Sequence, residues 1–282
     1  TFNDGGGKIF VSTDNGATFT EKHSIVGNGG GARVEIEASH TTADKIYVLS
    51  QLDQADPAAP VKEVQLLRTL DGFNTAPTVL TLPGTSPAGE ARLTTYGFTG
   101  AQAFYDLFIE SDPVNDANVF VGGINIHRST NSGTAWTQIT SWGSDVHSDQ
   151  HAMTFRPGTP NSAIFGNDGG VYYCASLSAS TLASGTDVVA RNTGFNVTQF
   201  VGVAVLPGGI AGNSGDFFVA GAQDNGSNSF PQTPSLTVGA AAGVTGSLEI
   251  QGGDGGIPLY SQDTDEYMVT NYVYNDNVVY RP

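Results

Sequence analysis

The stretch that decides the fold runs from Ala103 to Ile139, AFYDLFIESDPVNDANVFVGGINIHRSTNSGTAWTQI. It reads as four short apolar runs: Tyr105–Ile109, Val119–Gly123, Ile124–Arg128 and Ala135–Ile139. Each is rich in β-branched or aromatic residues, the composition of strands. Turn-formers separate them: Ser111-Asp112-Pro113 with Asn115 and Asn118, then Ser129-Thr130-Asn131-Ser132-Gly133-Thr134. Four short antiparallel strands in one unit make a propeller blade.

Working outward, the same unit recurs, and recurrence at a fixed period is the signature of a repeat architecture. Val34–Ile36, Ile46–Leu49, Val64–Arg68 and Thr78–Leu82 form a second blade. Ala152–Arg156, Ala163–Phe165 and Val171–Ala175 begin another, and Val201–Leu206 with Phe217–Gly221 begin the next. Ser247–Gln251, Ile257–Ser261, Glu266–Thr270 and Val278–Arg281 read as a last, less regular set. Residues 1–22 hold only the third and fourth strands of a blade. The one helix candidate is short, around Ser176–Ala183. The chain therefore reads as all-β, a single β-propeller domain over 1–282 with about six to seven blades. Ring closure would need chain outside this segment, or pairing of Thr1–Glu21 with C-terminal strands.

The turn between third and fourth strands carries a repeated pattern. Ser12-Thr13-Asp14-Asn15-Gly16-Ala17-Thr18-Phe19 fits Ser/Thr-x-Asp-x-Gly-x-Thr-Trp/Phe, the Asp-box. Ser129-Thr130-Asn131-Ser132-Gly133-Thr134-Ala135-Trp136 is a variant with Asn for Asp, and Arg68-Thr69-Leu70-Asp71-Gly72-Phe73 is a degenerate copy. The Asp or Asn oxygen accepts bonds from turn N–H groups. The Gly supplies a positive φ, and the aromatic covers the turn. Three copies, roughly 60 residues apart, specify an architecture and no reaction.

These motifs resemble the BNR or Asp-box repeat propellers, which include sialidases, xyloglucanases of glycoside hydrolase family 74 and sortilin-type ectodomains. Further stretches carry the resemblance: Asp145–Met153, Phe165-Gly166-Asn167-Asp168-Gly169-Gly170-Val171-Tyr172, Gly221-Ala222-Gln223-Asp224-Asn225-Gly226 and Gly252-Gly253-Asp254-Gly255-Gly256. They are similar to secreted BNR-repeat proteins of Bacteroidetes, often fused to a sorting domain for type IX secretion. The resemblance implies a secreted or cell-surface protein whose export machinery engages regions outside this chain. Fold is implied more firmly than function, since propellers host many activities.

Composition narrows the partners. Eleven Lys and Arg stand against 27 Asp and Glu, a formal net charge of -16. Too little positive charge is present to replace the counterions of a nucleic acid or to dock on an anionic membrane. No stretch approaches the roughly 20 apolar residues of a membrane span. One cysteine, Cys174, excludes an internal disulfide and reads as a small buried side chain. The chain starts at Thr1 without Met, as an internal piece of a longer protein would.

Strand direction sorts the candidate residues. His147, Asp149 and His151 precede or open an inner strand, while Asp168, Asp224 and Asp254 fall in loops between second and third strands. All are placed on one rim, opposite the Asp-box turns, as ligand-binding candidates. In an extended segment His147, Asp149 and His151 would share one side and could hold a transition metal. Asp168 and Asp254, with Gly neighbours, could hold Ca²⁺. The competing reading has the aspartates bonding loop N–H groups and the Gly-rich stretches serving as tight turns.

Two activities follow from the resemblance. A sialidase needs an arginine cluster and a Tyr nucleophile, and no Phe/Tyr-Arg-Ile-Pro motif is present. A family-74 hydrolase places a catalytic Asp just before an inner strand, where His151 stands here, with Asp149 two residues away. Asp149, Asp168, Asp224 and Asp254 are the candidate catalytic carboxylates, because glycoside hydrolysis uses two of them. Trp142 is the loop aromatic available to stack a sugar. The leading expectation is a non-catalytic module for adhesion, binding a polysaccharide or a cell-surface protein; the alternative is a glycoside hydrolase of xyloglucanase type.

Overall fold

The computed structural model describes residues 7–25, 33–52, 64–84, 97–142, 144–178, 182, 185–194, 197–205, 218–230, 247–261, 267–272 and 277–280. They fall into two compact units, Thr1–Asn192 and Thr193–Pro282.

The first unit holds four antiparallel sheets in chain order. A two-stranded pair, β1 (Lys8–Val11) and β2 (Thr20–Ser24), comes first. Three four-stranded meanders follow. They are β3 (Val34–Ala38), β4 (Ile46–Gln51), β5 (Val64–Thr69) and β6 (Thr78–Val79); β7 (Phe108–Ser111), β8 (Val119–Gly122), β9 (Ile126–Ser129) and β10 (Thr137–Gln138); and β11 (Gln150–Arg156), β12 (Thr159–Asn167), β13 (Gly170–Cys174) and β14 (Val188–Ala190). The second unit has a meander of β15 (Gly202–Val205), β16 (Phe218–Gly221), β17 (Ser227–Phe230) and β18 (Leu248–Gln251). A three-stranded sheet of β19 (Leu259–Tyr260), β20 (Met268–Asn271) and β21 (Asn277–Tyr280) follows it. Each meander is a propeller blade, and the protein is an all-β propeller.

The cores lie between successive sheets. Ile9, Val48, Leu67 and Phe73 join the first two sheets; Leu49, Leu66, Leu107, Ile109 and Val121 join the next two. Phe108, Phe120, Ile126, Met153, Phe165 and Cys174 join the third to the fourth. In the second unit Val219, Tyr260 and Met268 do the same. This is why β8 is buried at all four positions: a sheet packed on both faces needs an apolar run, not alternation. Each such side chain removed from water contributes roughly 1.5–3 kcal/mol. Cys174 sits in this core, and burial pushes its thiol upward.

Three boundaries differ from the sequence reading. Tyr105–Leu107 is not strand, because residues 102–106 fold into turns in which Tyr105 and Asp106 donate N–H bonds to Gln102 O. Ser247–Gln251 does not open the last sheet. It closes the preceding blade by pairing with Ser227–Phe230, whose polar alternation hides a strand with Ser227 and Ser229 buried. The proposed helix at Ser176–Ala183 is absent among its described residues; the one helical element among the described residues of the chain is a 3-10 turn at Gly97–Thr99.

The Asp-box turns share one hydrogen-bond scheme. Ser12 Oγ donates to Asp14 Oδ1 (2.8 Å) and accepts from Gly16 N (2.8 Å), while Thr18 N and Oγ1 donate to the Asp14 carboxylate (2.9 and 2.6 Å). These donors hold Asp14 down at about 2, the Thr18 hydroxyl first among them. Thr69–Thr75 repeats the scheme around Asp71, and Ser129–Ala135 repeats it around Asn131. The backbone needs two consecutive left-handed residues: Asn15 and Gly16, Gly72 and Phe73, Ser132 and Gly133. The middle copy is shifted by one, so Phe73 takes the glycine's place at φ +65 and inserts its ring into the core. Phe19, by contrast, is 64% exposed.

Two stability predictions follow from these local environments. Ser129 is buried, whereas Ser12 is half-buried and its bond from Gly16 N–H is exposed. Ser129→Ala strands a buried Gly133 N–H and should destabilise by about 1–3 kcal/mol, against well under about 1 kcal/mol for Ser12→Ala, in urea unfolding. His127 on β9 is 3% exposed beside Phe98, and burial pushes its imidazole down to about 4. Its folded value lies below the unfolded 6.5, so the stability it confers is complete above 6.5 and is lost as pH falls towards 4. The gap corresponds to about 3 kcal/mol. His127→Leu should flatten that part of the stability–pH curve; an unchanged curve would show that the imidazole does not drive it.

Candidate functional site

The rim of the first unit, at the start of β11, gathers the candidate residues. His151 opens the strand and points Nε2 at Asp168 Oδ1, 2.6 Å away. Tyr105 donates its hydroxyl to the same oxygen (3.0 Å) and stands edge-on to the His151 ring, centroids 4.8 Å apart. Asp168 lies in the β12–β13 turn, its side chain 7% exposed. Asp149 precedes the strand, is 9% exposed and accepts from Gln102 Nε2 (3.0 Å). The Asp149 and Asp168 carboxylates present oxygens within 4.8 Å of one another.

Backbone geometry sets this arrangement. Asp149 has φ +64, a left-handed residue inside an otherwise extended stretch. It breaks the two-residue alternation, so His147, Asp149 and His151 do not line one side as an extended segment would. His147 instead sits with Nδ1 3.3 Å from Ser148 O and packs on Gly169, where an added Cβ would fall 2.4 Å from its own Cβ. Gln150 fastens the turn: its N–H donates to Gly123 O (2.8 Å) and its amide to His147 O.

The electrostatics divide the two acids from the imidazole. Burial raises the Asp149 carboxyl, and the nearby Asp168 charge raises it further, against hydrogen bonds from Gln102 and Asp106. His151 is raised above its ordinary value, chiefly by the hydrogen bond to Asp168 and against the effect of burial. An imidazole that keeps its proton more readily than usual, paired with a carboxylate, therefore sits beside a carboxyl shifted in the same direction.

Sequence reasoning missed three members of this rim. Gln102 and Tyr105 fall in the turns that replace the expected start of β7, and no motif marks them. Arg33 donates to Tyr105 O and to Leu107 O (2.7 Å), and pairs with Glu35 (2.7 Å), fixing the segment that carries Tyr105. The exposed aromatics of the loops on this side are Tyr105 (40%), Phe104 (65%) and Trp142 (45%), the last with its backbone N–H donated to Asn125 Oδ1.

Asp224 and Asp254 belong to the second unit. Asp224 has φ +59, and its N–H donates to Asp254 Oδ1 (3.1 Å). The two Gly-rich loops interlock by backbone: Gly226 N to Gly253 O (2.7 Å) and Gly255 N to Ala222 O (2.9 Å). A Cβ at Gly221 would fall 1.9 Å from Gly256 O, so close backbone approach explains the glycines there. Asp254 thus serves turn chemistry in its own loop pair.

For a calcium ion the donor sets fit poorly. Asp168 Oδ1 is shared by an imidazole and a phenol, and Asp254 Oδ1 takes a backbone N–H, where Ca²⁺ asks for a cage of oxygens.

No family model and no curated protein matches the chain. Similar solved structures include a family-74 glycoside hydrolase of Niastella koreensis, at 17% identity and TM-score 0.41, covering 96% of this chain and 34% of that one. An ancestral family-74 enzyme gives 14% and 0.40, covering 97% of this chain and 32% of that one. YCF48 bound to a D1 peptide gives 9% and 0.40, covering 98% and 72%. The chain spans about a third of the length of both family-74 structures.

The pair at the rim makes a direct prediction. In a histidine NMR titration, His151 should titrate above the ordinary 6.5, and Asp168→Asn should bring it down. The same substitution removes the like charge beside Asp149 and should lower the pH at which that carboxyl ionises. A His151 titration that ignores Asp168→Asn would break the pairing.

Proposed function

We propose that the chain is a non-catalytic binding module of a larger secreted or cell-surface protein, of the BNR-repeat kind exported by Bacteroidetes through type IX secretion, and that the first unit's rim holds a glycan. One observation carries this reading: Tyr105 presents an exposed ring, braced edge-on by His151 and through its hydroxyl by Asp168, next to exposed Phe104, and Trp142 is exposed in the loop that leads into β11. Sugars bind by stacking on such rings and by hydrogen-bonding to carboxylates and imidazoles. Those polar groups are already oriented by one another, which limits the ordering needed on binding. The acidic surface favours a neutral polysaccharide over a sulfated or sialylated one, since like charge repels.

The hydrolase reading retains one favourable observation. Asp149 holds its proton more readily than usual, as a general acid does, and one of its oxygens lies within 4.8 Å of one of Asp168's, a close carboxylate pair of the kind retaining enzymes use. Against it, Asp168 Oδ1 is engaged by His151 and Tyr105, which compete with a role as nucleophile.

Glycan-array binding by the 282-residue chain, followed by calorimetry on the best neutral polysaccharide, tests both. Tyr105→Ala and Trp142→Ala should each weaken binding by about tenfold or more, as loss of a stacking ring does. Release of reducing sugar from that polysaccharide, abolished in Asp149→Asn, would replace the binding reading with the hydrolytic one. Binding indifferent to both aromatic substitutions would remove the proposed site.

A further inference from the structure

The first unit has a second concavity at the other ends of the same inner strands. β11 is seven residues long, so Arg156 at its end lies roughly 20 Å from the Asp149 rim. A cavity of about 370 Å³ opens there. Its polar lining is Glu110 on β7, His40 after β3, and Thr154 and Arg156 on β11. Its apolar walls are Phe155, Val114, the loop prolines Pro113 and Pro157, and Pro160 at the start of β12.

The charges in this cavity are mismatched within the protein itself. Burial, with help from the Glu37 charge, pushes the Glu110 carboxyl up to about 7. Glu37 is committed elsewhere: its Oε1 accepts from Ser111 N (3.0 Å) and Ser111 Oγ (2.6 Å), and His40 Nε2 stands 3.8 Å away. Among the described residues Glu37 is the one charged group that acts on Glu110, so the Arg156 guanidinium, although it lines the same cavity, is not its partner. Arg156 forms no ion pair among the described residues. One wall therefore lacks a cation and another lacks an anion.

We propose that this cavity binds a small zwitterion of the amino-acid class, an apolar amino acid or dipeptide, with its ammonium at Glu110 and its carboxylate at Arg156. The apolar side chain lies against Phe155 and the three prolines, which need no polar partner. The volume falls in the range of small-molecule pockets and suits a ligand of dipeptide size. A bound ammonium offsets the Glu37–Glu110 repulsion and draws the proton off Glu110, so binding releases a proton below about pH 7 and tightens as pH rises. His40 is more than half exposed and borders Glu37, so a substitution there serves as the control. The site is independent of the glycan rim, and its failure leaves that reading standing.

Calorimetry with the dipeptide alanyl-phenylalanine at pH 6.5, in two buffers of different ionisation enthalpy, tests the proposal on the 282-residue chain. Binding at about millimolar affinity or tighter, with net proton release, is expected. N-acetyl-alanyl-phenylalanine, which lacks the ammonium, and the dipeptide amide, which lacks the carboxylate, should each bind about tenfold more weakly. Glu110→Gln should abolish the proton release, and His40→Gln should leave it in place. Arg156→Gln, at an exposed position, should remove the preference for the free carboxylate over the amide. No heat from alanyl-phenylalanine up to about 10 mM, or equal binding of the acetylated form, would overturn it.

Discussion

Everything in this protein depends on covering both faces of a small sheet. A four-stranded antiparallel meander of two to nine residues per strand cannot bury enough surface alone, so its faces must be closed by the sheets before and after it in the chain. The core clusters follow that rule: each is shared by two consecutive sheets, and none lies within a single sheet. Inner strands β3, β7 and β11 are consequently held side by side with a common direction. That direction sorts every loop of the first unit to one of two ends.

The protein uses acids in two opposite ways. At the turns between third and fourth strands, Asp14 and Asp71 are wrapped by hydroxyl and N–H donors, and both are held below the ordinary carboxylate range. Such carboxylates are permanently charged acceptors that satisfy a tight turn; they have no proton to give near neutrality. Asp149 and Glu110 sit on inner-strand segments with burial and a like charge around them, and both are raised. The same residue chemistry thus serves as a turn fastener in one place and as a responsive group in another, and local donors decide which.

Much of the fold was legible because the blade is a local object. The runs at Ile46, Val64 and Val119 are apolar on both faces and bounded by turn-formers, so their strands fall within a residue or two of expectation. Ser227–Phe230 escaped because its inward positions are serines, so a buried strand there carries no apolar signal. The candidate site was legible in part. His151 and Asp168 were placed on one rim by strand direction alone, and they meet at 2.6 Å. Tyr105, Gln102 and Arg33 were not, since their roles depend on a turn at residues 102–106 and on contacts more than 60 residues apart in sequence for Tyr105 and Arg33. Asp149 shows the same limit from the other side: a single left-handed residue, invisible in composition, redirects the side chains on either side of it.

That single residue also explains why the rim and the far cavity differ in kind. At the rim, the left-handed Asp149 lets its own carboxyl reach the Gln102 amide while His151 reaches Asp168, so the imidazole and Asp168 are paired internally. What remains for a ligand there is oriented hydrogen-bonding capacity and exposed ring surface, a set suited to hydroxyl-rich molecules. Beyond Met153 the strand runs on, with a register irregularity between Phe155 and Arg156, and Thr154, Phe155 and Arg156 line the cavity. No turn brings Arg156 to Glu110, and the two charges stay apart within the protein. An internal pair asks for a neutral partner, whereas separated opposite charges ask for one carrying both, and the backbone of one strand sets the two cases at its opposite ends.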